Sequence, residues 1–388
     1  MLKTEFRVTS LVRTIRKGDD YTPDAETNPA FERIDCGLGH SPFGYPPEVE
    51  TAKARLTTDD LVQYLNKDAY GKSLAQPIRE RFGLGADVEV FSNGSGSYGL
   101  LAAILSDLVS REAISKGLEV MGFGPQFTNI DMLARRAEIP YSPIAVPLAA
   151  TTQFKLDTLI EHRLKASKPA IIYLDNPNNP TGDVLSLSAV QALADATQRQ
   201  DLLIIDEAYG DLVDDAVSAI PLTVRYPHII ALRSLSKGIG LASPRLGYAI
   251  MSEPLAAIYK NIELVFAVDT FTILVANAAL NPNVLATFLP DVRRQTAEIK
   301  SELVAGLIQL GVKVFPTHPT VSIFMAQNPG KFYQDLLNYG IATEDGQTFK
   351  PTHPEMNSSL VRFRIPGDSS TVSEIHQRVE DLQKAKRK

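Results

Sequence analysis

The chain contains one cysteine, Cys36, so it cannot build an internal disulfide framework or a cysteine-rich zinc site. It lacks any apolar run long enough to cross a bilayer as one helix. The opening stretch, MLKTEFRVTSLVRTIRKGDD, is broken by charges and has no uninterrupted apolar core of the kind a signal peptide needs. Net charge is −6 with no long basic run, which removes the electrostatic footprint of a nucleic-acid binder. The basic KAKRK ending reads as a solvated helix end. There is no internal repeat and no low-complexity linker. Together these absences predict a cytoplasmic protein without nucleic-acid or membrane partners and without a metal centre.

At 388 residues the chain exceeds one small core, and one large domain with a smaller companion is expected. From about residue 88, short apolar runs alternate with longer amphipathic ones. VEVFS, LEVMGF, AIIYLD, DLLIIDE, HIIALRS and LGYAIMS read as strands. SYGLLAAILSDLV, FTNIDMLARRAE and SLSAVQALADATQRQ read as helices, the last with Ser186 or Ser188 as its cap. Near-continuous apolar strands between helices predict an α/β fold with a mostly parallel sheet in three layers. After residue 285 the pattern changes to a long helix, VRRQTAEIKSELVAGLIQLG, followed by strand-like VKVFP, VSIFMA and LVRFRI. The expected division is an N-terminal segment, 1–50, packing with a small α+β domain, 286–388, beside a large domain, 51–285.

Ligands of open α/β sheets bind beyond the carboxyl ends of the strands, and five such junctions carry unusual residues. FSNGSGSYG is a glycine-rich strand-to-helix turn whose first helical N–H groups favour an anion, or simply a turn. GPQFTN places Phe127 just past a strand, as core or as a ligand's stacking partner. DNPNNPTG fixes an irregular loop around Asn179 with two prolines and a glycine. IIDEAYG ends a buried strand with Asp206, a carboxylate that needs a cation unless it only caps a helix. SLSKGIGLASPRLG puts Lys237 and Arg245 after another buried strand, where a lysine loses water at a cost.

In this order the motifs resemble the fold-type I, pyridoxal-phosphate-dependent aminotransferases of class I/II, most nearly the histidinol-phosphate aminotransferase-like branch. The resemblance runs from about Gly37 to Arg364 and is most specific at NPNNPTG, DEAY and SLSKGIGLASPRLG. It implies pyridoxal 5'-phosphate as cofactor, bonded through its aldehyde to Lys237. Asp206 would keep the ring nitrogen protonated, Tyr209 and Asn179 would bind the phenolate oxygen, and Phe127 would lie on the ring face. Ser95, Gly96, Ser234, Ser236 and Arg245 would hold the phosphate. DAYGKSLAQPIRERFG resembles the segment that reaches the neighbouring subunit's phosphate, through Tyr70 or its competitor Tyr64, which implies a homodimer with shared sites. In LVRFRIPG, Arg362 rather than Arg364 would bind the substrate carboxylate, with Gly39 nearby in GLGHSPFGYPPEV.

That last loop departs from the branch, reading Gly39-His40-Ser41 where histidinol-phosphate enzymes have Asn-Glu-Asn. The arginine expected after YGI is also missing, and GIATEDGQTF stands in its place. Both departures weigh against a phosphorylated substrate, and His40 is either a substrate contact or incidental. The expected activity is transfer of an amino group between an L-amino acid and a 2-oxo acid. The alternative keeps the cofactor but ends in decarboxylation, elimination, cyclisation or oxidation, as in threonine-phosphate decarboxylase-like enzymes. A ligand-sensing regulator would carry a DNA-binding module before the fold, and the expectation is that none is present.

Overall fold

The apolar runs form strands in the order they were read, with helices between them. The computed structural model describes residues 26–62, 64, 68–109, 111–144, 146–197 and 200–387, so the first half of the expected N-terminal segment lies outside the described residues. The strands are β1 (Ile34–Asp35), β2 (Val88–Asn93), β3 (Glu119–Phe123), β4 (Tyr141–Ile144), β5 (Ala170–Asp175), β6 (Leu202–Glu207) and β7 (Ile229–Ser234). They continue as β8 (Gly247–Ser252), β9 (Lys313–Val314), β10 (Ile323–Gln327), β11 (Ile341–Ala342), β12 (Glu344–Asp345) and β13 (Leu360–Arg364).

A seven-stranded sheet in the order β2-β8-β7-β6-β5-β3-β4 forms the centre of the fold. Its pairings are parallel except those of β8, which runs antiparallel to both β2 and β7. Every residue of β5, β7 and β8 is buried, as a sheet covered on both faces requires. The period of two is visible along β5, where Ile171 and Tyr173 enter one core and Ile172 and Leu174 the other. This is the mixed α/β architecture expected from the sequence. Strand β4 was not legible, because YSPI carries Pro143, which cannot donate to a ladder. At the sheet edge such a residue is tolerated.

A second sheet, β12-β13-β10-β9, is antiparallel. Phe324, Phe363 and Val361 from it pack with Leu303 and Leu307 of the helix Pro282–Gln309 and Ile375 and Val379 of the helix Ser369–Lys386. The long helix starts ten residues before the run read from sequence (292 against 282). Pro282 sits in its first turn, where no N–H is needed, and the Asn281 side chain caps it. At the other end of the chain, β1 pairs in parallel with β11. The Arg364 N–H donates to Cys36 O at 2.8 Å, which ties residues 34–36 to β13. Among the described residues, no single helix is long and apolar enough to cross a membrane.

Candidate active site

Strands β3, β5, β6 and β7 run in one direction, so the loops that leave them gather at one edge of the sheet. A cavity of about 420 Å³ opens there. Its wall takes Phe127 from the loop after β3, Asn179 from the loop after β5, Asp206 from β6 and Tyr209 just beyond it. Ser234, Ser236, Lys237 and Arg245 come from the β7–β8 connection, and Gly39 and Arg362 close the cavity from the N-terminal segment and β13. Residues read as separate motifs thus meet in one place.

Lys237 is half-buried, with its Nζ 5.4 Å from the centre of the Tyr209 ring. Burial, then the nearby Arg362 and Arg245 guanidinium groups, push its amine down to about 7, against a smaller opposing pull from Asp206. Asp206 is pushed up to about 6 by burial, although Tyr173 Oη donates to its Oδ2 at 2.9 Å and the Ala208 N–H to its Oδ1 at 3.0 Å. Arg245 has a φ of 57°, a region that arginine rarely adopts, and its Nη1 donates to Ala242 O at 3.0 Å and Ser236 Oγ at 3.2 Å. Arg362 donates to Asn179 Oδ1 at 3.0 Å and to Gly37 O at 2.7 Å, so one side chain joins three segments around the cavity. A β-carbon at Gly39 would lie 1.9 Å from Tyr209 Oη, so only glycine lets the loop cross that tyrosine.

The structure separates the two candidate arginines. Arg362 lines the cavity, whereas Arg364 donates to the backbone oxygens of Asp35 and Ile365. Ser95 does not line the cavity: it precedes the helix Gly96–Ala103, faces solvent, and its N–H donates to Asn93 Oδ1 at 2.7 Å. Gly96 is buried behind the wall, and the residues that reach the cavity from this helix are the next two, Ser97 and Tyr98. Tyr70 and Tyr64 are 43% and 75% exposed and lie outside this cavity, Tyr64 against Phe266 at 4.9 Å between ring centres. His40 is half-buried, and burial followed by Arg364 lowers its pKa. Asp175 and Asn129 line the cavity and were missed. For Asp175 the signal was available, since it ends an apolar strand before an irregular loop just as Asp206 does.

The comparisons with known proteins agree with this geometry. Residues 35–379 match the family described as aminotransferase class I and II. The histidinol-phosphate aminotransferase of Lactiplantibacillus plantarum is 31% identical over 321 residues, covering 81% of this chain and 85% of that protein. The crystal structure of histidinol-phosphate aminotransferase from Sinorhizobium meliloti in complex with pyridoxal-5'-phosphate superposes with a TM-score of 0.78 at 19% identity, covering 99% of both chains. A Thermus thermophilus aspartate aminotransferase mutant superposes at 0.77 and 18% identity, covering 97% of this chain and 99% of that one. The fold is that of the fold-type I, pyridoxal-phosphate-dependent enzymes. The chain belongs to the class I and II aminotransferase family and is a pyridoxal 5'-phosphate-dependent aminotransferase.

The residues present fit that cofactor. A half-buried amine near neutrality and a buried carboxylate line one cavity. The backbone at Gly96 adopts a φ of +69°, and a β-carbon there would come 3.1 Å from Arg245 Nη2, crowding the side on which an anion would sit.

Proposed function

We propose that this chain, as a cytoplasmic homodimer, moves an amino group between an L-amino acid held by Arg362 and a 2-oxo acid. The observation that carries the reading is the convergence of Lys237, Asp206 and Arg362 on one cavity. Pyridoxal 5'-phosphate, when bound, supplies an aldehyde for the amino group and a ring that accepts the electron pair left at Cα.

The chain's own residues supply the rest. Lys237 Nζ, lowered to about 7, would hold the cofactor aldehyde and, once released by the incoming amine, would carry the proton to and from the substrate Cα. Asp206 would hold the ring nitrogen in its protonated form, and Tyr209 and Asn179 would orient the phenolate edge. Ser234, Ser236, Arg245 and the amides that follow Gly96 at the start of its helix would hold the phosphate, the Gly96 N–H itself being donated to Arg245 O. Arg362 grips the carboxylate as a planar fork beside Gly39. Phe127 covers the ring face.

The dimer is supported by an exposed apolar belt of Val62, Tyr64, Tyr70, Leu264, Val265 and Phe266, from which Tyr70 would reach the partner's phosphate. In this reading residues 51–285 hold the cofactor, and 26–50 with 286–387 close over the substrate. Histidinol phosphate, the substrate named for the relatives, is the first donor to compare, and Gly39-His40-Ser41 favours unphosphorylated amino acids over it.

An amino-donor panel with 2-oxoglutarate tests the reading, and glutamate should form together with the 2-oxo acid of the donor. Release of CO₂ without glutamate would replace transamination by decarboxylation. A strict preference for histidinol phosphate would overturn the loop argument and leave the cofactor assignment standing.

A further inference from the structure

Asp175 ends β5 and lines the cavity, yet nothing above gives it a task. Its carboxylate accepts three hydrogen bonds. The Phe127 N–H donates to Oδ2 at 2.9 Å, the Asn179 N–H donates to the same Oδ2 at 3.0 Å, and Asn178 Nδ2 donates to Oδ1 at 2.9 Å. The two backbone donors belong to different loops, one leaving β3 and one leaving β5. Asn178 Nδ2 also donates to Pro125 O at 3.0 Å, a second tie between the same loops. Both loops are irregular, so these buried N–H groups have no ladder partner and need an acceptor from elsewhere.

Phe127 and Asn179 are the residues assigned to the face and the phenolate edge of the cofactor ring. We infer that Asp175 is a positioning residue that clamps the 124–128 loop to the 176–182 loop through one carboxylate oxygen, and so fixes the gap between Phe127 and Asn179 into which the ring fits. The inference rests on the cofactor reading above. A carboxylate suits the task because it only accepts, whereas an asparagine would turn its own NH₂ toward Asn178 Nδ2. Keeping it there is unfavourable for the fold, since burial, with a further push from Asp206, raises its pKa to about 7 despite the three donors.

Hydrogen exchange of the cofactor-loaded protein and titration of cofactor-free protein with pyridoxal 5'-phosphate test the clamp. Asp175→Ala removes the shared acceptor and should speed exchange in both loops and raise the cofactor dissociation constant, each by about tenfold or more. Asp175→Asn keeps one oxygen for the two N–H groups and should change both readouts by less than about threefold. Unchanged exchange in either loop of Asp175→Ala overturns the inference. So does acceleration that spreads equally into β10 and β13, because that is general loosening. The wild type supplies a measurement that no folding failure can remove. Its Phe127 and Asn179 amides should be protected to a similar degree, and either one exchanging like an open loop overturns the clamp. Borohydride reduction of the same wild-type sample keeps the two ideas apart: a pyridoxyl group absent from Lys237 refutes the cofactor reading, whatever the exchange shows.

Discussion

Two clusters of buried charge lie back to back across the same strands, and they have opposite fates. On one side Arg233 pairs with Glu207 and with Asp211, both at 2.9 Å, and Arg81 pairs with Asp211 and Asp215, both at 2.8 Å. On the other side are Lys237, Asp206 and Asp175, and among the described residues Lys237 makes no ion pair. Glu207 and Asp206 are chain neighbours, yet the alternation of a strand sends one to each cluster. Burial works against the Arg233 charge, but Glu207 and Asp211 outweigh it and hold its pKa above the ordinary value. Burial at Lys237 is joined by two guanidinium groups instead of opposed, and its amine falls to about 7. Loss of water therefore leaves a permanent charge where carboxylate partners satisfy it, and a movable proton where they do not.

The largest effect should come from removing the movable proton. Lys237→Ala should end covalent cofactor attachment and lower turnover on the order of 10⁴-fold. Borohydride reduction and peptide mapping check this, and a pyridoxyl group on another lysine would contradict it.

Breaking the paired cluster should show up in stability instead. Arg233→Met leaves Glu207 and Asp211 buried with a lost partner and should cost about 3–5 kcal/mol in denaturant unfolding. A cost below about 1 kcal/mol would erase the distinction between the clusters.

Asp206→Asn should lower turnover by about 100-fold while the protein still binds cofactor. It should leave the cofactor-free protein no less stable at neutral pH, and the sign follows from linkage. Asp206 and Asp175, raised to about 6 and about 7, contribute stability at low pH that is lost as pH rises through those values. Lys237, lowered to about 7, contributes stability at high pH that is lost as pH falls through that value. The contribution of these groups to cofactor-free stability is therefore at its minimum near neutrality. A maximum there in thermal unfolding would refute the assignment of these shifts.

The arginines of β13 give a smaller contrast. Arg362→Lys should raise the apparent substrate constant by about tenfold with the cofactor spectrum unchanged, because lysine cannot make the planar fork. Arg364→Lys should instead loosen residues 34–36, seen as local proteolysis, with little change in that constant. The smallest effect is expected from the proposed dimer contact, where Tyr70→Phe should weaken cofactor retention by about fivefold. Retention identical to wild type would remove Tyr70 from the partner's site.

Much of this was legible because strand ends are where sequence and chemistry coincide. Asp206 directly follows an unbroken apolar run, Lys237 lies a few residues beyond another, and Asn179 sits in a loop defined by Pro177, Pro180 and Gly182. The misses have physical reasons too. Asp175 carries the same mark as Asp206, but two of its three donors are backbone N–H groups, one of them from a loop 48 residues away, which side-chain motifs do not record. Ser95 and Ser97 are both small and polar, and only the turn of the helix decides which of them faces inward. Arg362 was preferred over Arg364 on resemblance alone, since residues two apart on a strand share a face and periodicity does not separate them.

The reversed direction of β8 bears on the order in which the site assembles. Because β7 and β8 form an antiparallel pair, Lys237 and Arg245 share one short connection and meet by closing a small loop. Phe127, Asn179, Asp206 and Arg362 arrive only through crossovers and a far segment of the chain, with larger losses of chain entropy. The Ser234–Arg245 stretch is therefore a local structure, whereas the Gly96 turn, the ring contacts and Arg362 are topological. A folding chain would bring Ser236 and Arg245 together before the rest of the site closes around them.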